Sequence, residues 1–185
     1  MRGVLSMLLA VTAVLPCAAE VQVFEVLGGE RVAVFAKDGA KAAVLVFIDT
    51  ECPIANAYHP ELRRLEKKFG PQGVRFFMVH ADPETSVQKA AKHKEDFGIT
   101  APVVIDKGQK WVKKTGATVT PEAVVVTPDG GSVYRGRIDD RYADFGKKRP
   151  EAKTRDLELA LTAVLAGRPV PSPRTKAVGC RIFVE

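Results

Sequence analysis

The chain has 185 residues, of which 46% are hydrophobic and 27% charged, and its formal charge is +6. That length and balance fit one globular domain with extensions, and exclude a disordered or collagen-like chain. The positive charge does not make a nucleic-acid surface. The basic groups at Arg63, Arg64, Lys67 and Lys68, at Lys89, Lys92 and Lys94, and at Lys147, Lys148 and Arg149 are mostly interleaved with acidic residues, as on solvated helix faces.

The first residues predict a targeting segment. Arg2 precedes an apolar stretch from Val4 to Leu15, and small residues follow at Cys17, Ala18 and Ala19. This is the layout of a secretory signal, with cleavage expected after Ala19. The apolar stretch is too short for a comfortable membrane span, so no stable span is expected once the signal is cleaved. Cleavage would leave two cysteines, Cys52 and Cys180, in an exported protein of a periplasmic or other extracytoplasmic, oxidising compartment. The expected organisation is a signal over 1–19, one domain over 20–166, and a tail over 167–185 that contains Cys180.

Elements follow in order. Val21–Val26 alternates as a strand, Gly28 and Gly29 mark a turn, and Arg31–Ala36 completes a hairpin. Ala42–Ile48 is an unbroken apolar run rich in β-branched residues, the signature of a central strand buried on both faces. From Pro53 to Phe69 the apolar residues Ile54, Tyr58, Leu62, Leu65 and Phe69 recur every three or four positions, which predicts a helix, with a kink at Pro60. Val74–His80 is a second buried strand, and a helix leads from Ser86 towards Gly98. A short strand over Pro102–Asp106 and a short helix over Lys107–Gly116 come next. Two strands flank the turn at Asp129, Gly130 and Gly131, and Asp156–Leu165 is a last helix. The alternation predicts an α/β fold with a parallel core sheet, right-handed crossovers, an added antiparallel hairpin, and helices on both faces. The Pro-rich tail reads as extended.

Cys52 carries the chemistry. It stands directly before Pro53, at the predicted start of a helix, where unpaired N–H groups and the helix dipole stabilise a thiolate. Pro53 at the first helical position forfeits no needed hydrogen bond. A dithiol site would place a second cysteine three positions on, but that position is Ala55. A self-contained local dithiol is therefore excluded. Three options stay open: resolution of oxidised Cys52 by Cys180, resolution by a partner thiol, or no redox turnover.

The order of elements and four motifs resemble the thioredoxin fold, and more narrowly the redoxins that include peroxiredoxin-like AhpC-TSA proteins and periplasmic TlpA/ResA-type proteins. The motifs are Cys52-Pro53 after the first long buried strand, HADPE after the second, VTPEAVVVTPDG over Val119–Gly130, and VYRGRIDD after the turn. The resemblance implies a central mixed sheet flanked by helices. It also implies a cis peptide bond at Pro121 lying against Cys52, and a Thr120 whose backbone meets an extended substrate. Pro53, Thr120 and Pro121 are the substrate-binding residues so implied. The chain departs from the family's dithiol motif, and from the peroxidatic pattern as well: Asp49 stands at the threonine position of that pattern and Leu45 at its proline position.

Asp49 and Glu51 flank Cys52 and are expected to oppose its ionisation, with Arg137 and Arg141 as the compensating cations. His59, His80 and His93 raise the question of a metal. His80, at the end of a buried strand, is its weak candidate, but one cysteine and one histidine make a poor soft-metal site, and no metal is expected. No nucleotide loop, Ser-His-Asp signature or haem motif is present, so no cofactor is expected. The sequence thus predicts an exported thiol redox protein acting through Cys52, with Cys180 as the candidate resolving thiol. Its partners are protein thiols or a hydroperoxide, together with an unidentified thiol reductant. The alternative is a non-enzymatic redoxin-fold binding module or copper/assembly chaperone.

Overall fold

The computed structural model describes residues 23–35 and 39–184. The predicted signal over 1–19 lies outside the described residues, as do the outer ends of the N-terminal hairpin at Val21 and Ala36.

A five-stranded sheet organises the molecule, in the order β5-β4-β3-β7-β8. Its centre is β3 (Ala42–Ile48), whose seven residues are all buried. β3 runs parallel to β4 (Val74–His80), which is parallel to β5 (Val103–Ile105). On its other side β3 runs antiparallel to β7 (Glu122–Val126), which makes a hairpin with β8 (Ser132–Gly136). The sheet is therefore mixed, and its centre explains the unbroken apolar run: a strand covered on both faces has no side that gains from polarity.

The pleat divides β3 between two cores. Ala42, Val44, Val46 and Ile48 pack with α1 (Pro53–Phe69), α4 (Asp156–Leu165) and Ala90 of α2 (Val87–Asp96). Ala43, Leu45 and Phe47 face Phe24 and Val26, Val112 of α3 (Lys110–Thr115), and Ile182 from the tail. The first strands, β1 (Val23–Glu25) and β2 (Arg31–Ala33), form the expected antiparallel hairpin. Helix α1 keeps its predicted bounds and continues through Pro60. Helix α2 is capped by the Ser86 hydroxyl, which accepts from the Lys89 N–H at 3.1 Å.

Three features differ from expectation. The short helix is broken into a 3-10 turn over Lys107–Gln109 and α3, because Gly108 and Gln109 both have positive φ, 72° and 55°. A small hairpin of β9 (Tyr142–Asp144) and β10 (Lys147–Lys148) stands where no strand was predicted. The tail also does more than extend. Its β11 (Cys180–Arg181) pairs antiparallel with β6 (Val119–Thr120), placing Cys180 opposite Thr120.

Candidate active site around Cys52

The parallel strands β3 and β4 end on one edge of the sheet, where ligand sites gather in α/β folds. The loop after β3 carries Asp49 to Cys52, and β6 with Pro121 enters from the other side. Cys52 is the N-cap of α1: its sulfur accepts the Ala55 N–H at 3.4 Å. As a thiol it donates to the Thr120 carbonyl oxygen at 2.9 Å. The Thr120–Pro121 peptide bond is cis. Cys52, Thr120 and Pro121 are therefore brought together as expected, and Pro53 opens the helix beside them.

Cys180 completes the group. The tail strand sets Cys180 opposite Thr120, whose carbonyl also takes the Cys52 thiol. Both cysteines are free thiols in this structure, with Cys52 buried and Cys180 half-buried. Cys52 is 0% exposed, so solvent reaches the pair only on the Cys180 side.

The two thiols are driven apart in acidity. Burial pushes Cys52 up, but hydrogen bonds from the Cys180 thiol, Thr120, the Ala55 N–H and the Cys180 N–H outweigh it, and the net shift is below the ordinary thiol value. Cys180 is pushed up to about 12 by burial, by its hydrogen bond to Cys52, and by the negative charges of Cys52 and Asp49. One proton shared between two sulfurs therefore belongs to Cys180.

The expected electrostatics need correcting. Glu51 does not oppose Cys52: its side chain is 78% exposed and pairs with Lys89 at 3.1 Å. Asp49 acts on Cys180 instead. Nor do Arg137 and Arg141 compensate Cys52. Arg137 is held by Asp156 at 2.8 Å, and Arg141 lies by Asp139 and over the Tyr58 ring. The acidic pair in RGRIDDR joins elements: Asp139 accepts from the Tyr58 hydroxyl at 2.5 Å, and Asp140 takes the Lys153 and Thr154 N–H groups.

The three histidines form a buried row behind the loop. His93 lies between His59 and His80, with ring centres 5.3 and 5.2 Å apart. His93 meets the Asn56 carboxamide at 2.8 Å, and Asn56 in turn donates to the Thr50 carbonyl at 3.0 Å. The row thus braces the Cys52 loop. Neither ring nitrogen of His80 has a hydrogen-bond partner, nor do His59 Nε2 and His93 Nδ1. Among the described residues, no group of three His, Cys, Asp or Glu side chains could hold a metal ion.

Three residues of the site escaped sequence reasoning. Glu122 is buried and accepts from both the N–H and the hydroxyl of Thr118, fixing the loop that carries β6. Gln109 donates to the carbonyls of Ala81 and Phe183 and so ties the tail to the end of β4. Gly179 lets the tail lie against Thr120. Only the broken-helix residue Gln109, beside Gly108, had even a weak local signal. A cavity of about 180 Å³ opens here between Asp49, Asp82, Thr120, Arg181 and Phe183. A larger one, about 490 Å³, lies by the N-terminal hairpin and Trp111, and neither cysteine lines either cavity.

Comparison with known proteins agrees with this geometry. A family model described as the AhpC/TSA family matches residues 18–134. Among curated proteins, the thiol-disulfide oxidoreductase ResA of Halalkalibacterium halodurans is 30% identical over 125 residues, covering 66% of this chain and 69% of that protein. Among solved structures, an uncharacterized conserved protein from Geobacillus kaustophilus is 29% identical, with a TM-score of 0.74 and 90% of each chain covered. A hypothetical protein from Sinorhizobium meliloti 1021 is 24% identical, with a TM-score of 0.76 over 90% of this chain and 92% of that one, and so shares the fold. The mixed sheet, the helix opened by Cys52-Pro53 and these matches together establish that the chain belongs to the AhpC/TSA family of thioredoxin-fold redoxins.

Proposed function

We propose that the protein is an exported thiol redox enzyme in which Cys52 and Cys180 interconvert between two thiols and one disulfide. The observation that carries this reading is the tail strand, which sets Cys180 opposite Thr120, the residue whose carbonyl takes the Cys52 thiol. A local dithiol would need a cysteine at Ala55. Here the second sulfur comes from a strand far along the chain.

The chemistry follows from the two acidities. Cys52 is the thiolate and the nucleophile. With a hydroperoxide, its sulfur takes the terminal oxygen and becomes a sulfenic acid, while the rest of the peroxide leaves as alcohol or water. The Cys180 sulfur then attacks the Cys52 sulfur, water leaves, and the disulfide closes. With a protein disulfide, Cys52 attacks one sulfur to form a mixed disulfide, and Cys180 attacks Cys52 to release the reduced protein. In both cases an external dithiol restores the two thiols and is itself oxidised. Export is supported by the signal-like start, and a protein disulfide substrate by the oxidoreductase named among the relatives.

Mass spectrometry of the mature protein without reductant, before and after a small dose of hydrogen peroxide, tests the reading. A Cys52–Cys180 link that forms with peroxide and disappears with a dithiol is the expected result. Two thiols that stay unchanged under both peroxide and a small disulfide would overturn it in favour of a non-enzymatic binding module.

A further inference from the structure

The seat of the tail strand has a steric rule of its own. Immediately before Cys180 comes Gly179, and a Cβ there would fall 2.0 Å from the Thr120 carbonyl oxygen, 2.6 Å from its carbon and 3.1 Å from the Pro121 nitrogen. No side chain fits at that position without lifting the strand off the loop. Two residues after the cysteine, Ile182 is buried in the apolar cluster that includes Ala81, Val112 and Ala117, and its N–H donates to the Thr118 carbonyl at 2.9 Å. Arg181 between them is exposed. The backbone of Thr118 to Thr120 thus reads an extended strand through hydrogen bonds, while two side-chain positions, one empty and one aliphatic, select it.

We propose that the edge at Thr120, where the family resemblance already implies an extended substrate, selects cysteine strands with glycine directly before the cysteine and an aliphatic residue two places after it. The chain's own Gly179-Cys180-Arg181-Ile182 is its resident ligand. The inference rests on the reading of Cys52 and Cys180 as a redox pair, and it names what that pair selects. Gly179 and Ile182 act as positioning residues: they bring a sulfur to Cys52 and take no part in bond exchange. A protein thiol without the glycine is turned away from Cys52 along this edge, because its Cβ would meet the Thr120 carbonyl.

The test uses the full chain with Cys180→Ala and Cys52 loaded with nitrothiobenzoate as a mixed disulfide. Two peptides are offered, Val-Gly-Cys-Arg-Ile-Phe and Val-Ala-Cys-Arg-Ile-Phe, and the resident tail competes equally against both. The peptide thiolate attacks the Cys52 sulfur, the Cys52–nitrothiobenzoate bond breaks, and nitrothiobenzoate leaves as a thiolate. The peptide's thiol proton goes to buffer, and one disulfide replaces another with no net oxidation. Mass spectrometry counts the Cys52–peptide adduct. The glycine peptide is expected to form it roughly tenfold faster or more, a difference of about 1.4 kcal/mol in the docked state. Equal rates would overturn the proposal.

A second measurement keeps the tail in place. In Gly179→Ala, closure of the Cys52–Cys180 link should slow about tenfold, while alkylation of reduced Cys52 speeds up and the far-UV spectrum is retained. Closure at the wild-type rate would overturn the selection. A wild-type chain that never closes the link overturns the redox pair instead, and the peptide comparison then still reads the selection by itself.

Discussion

At the scale of the residue, Cys52 and Cys180 move in opposite directions because each acts on the charge of the other. Cys52 gains partners that favour its charge: the Cys180 thiol, Thr120, the helix N-terminal N–H of Ala55, and the N–H of Cys180. Cys180 gains an anion to face, and its own ionisation is opposed. The asymmetry therefore belongs to the pair and should disappear when the pair is broken. In Cys52→Ser, the Cys180 thiol should fall from about 12 towards the ordinary range, held above it by burial and Asp49. In Cys180→Ala, the Cys52 thiol should rise, since burial then acts with fewer donors against it. The pH dependence of iodoacetamide labelling, site by site, measures both. A Cys180 value that ignores Cys52→Ser would disprove the coupling.

At the scale of the element, the site is assembled from pieces that no single segment holds. The loop after β3 supplies Cys52, β6 supplies the carbonyl it leans on, and β11 supplies the second thiol. Each is fastened separately. Glu122 fixes the Thr118 loop, and Asn56 with His93 fixes Thr50. The tail is held at its start, where the Arg135 N–H donates to the Pro173 carbonyl at 2.9 Å and Thr175 meets the Tyr134 hydroxyl at 2.8 Å. Gly136 allows this approach, since a Cβ there would lie 2.1 Å from the Thr175 hydroxyl oxygen. At its end the tail depends on Ile182. Burial of an isoleucine contributes about 2 kcal/mol, so Ile182→Ala should free the last strand without unfolding the domain. Cys52, 0% exposed under the docked tail, should then react with a bulky maleimide at least about tenfold faster. Unchanged maleimide kinetics would mean that the tail does not shield Cys52.

At the scale of the whole molecule, the buried histidine row couples stability to acidity. Unfolded, each imidazole titrates near about 6.5. Folded, His80 is pushed down to about 3 and His59 to about 4, by burial first and then by neighbouring positive charge; burial lowers His93 as well. Below about pH 6.5 the unfolded chain therefore binds more protons than the folded one. Stability is full above that pH and is lost as the pH falls through 6 and 5 towards the folded values. Each histidine contributes a slope of about 1.4 kcal/mol per pH unit within its window. Urea unfolding at pH 7.5 and pH 5 should show the loss, and His80→Leu should flatten it. A variant with the wild-type slope would show that the row does not drive acid unfolding. Because Asn56 links His93 to Thr50, the Cys52 loop should loosen with the row.

Much of this protein is local in origin and could be read directly. The seven-residue runs of β3 and β4 are apolar because both faces are covered, and that demand is written into consecutive residues. Helix α1 shows its buried face every three or four positions, and Cys52-Pro53 marks its start, since capping is a matter of adjacent atoms. The place of Cys52 as the helix cap and the absence of a neighbouring dithiol were legible for the same reason. The tertiary structure decided what depends on distant residues meeting. Whether Arg137 would serve Cys52 or Asp156 is a question of which anion lies nearer, and spacing along the chain does not encode it. The β9–β10 hairpin is two short exposed strands with no buried face to impose alternation. Cys180 became a partner of Cys52 only because Gly179 has no Cβ and Ile182 has a cluster to enter, and both conditions are set by Thr120 and its neighbours across the fold.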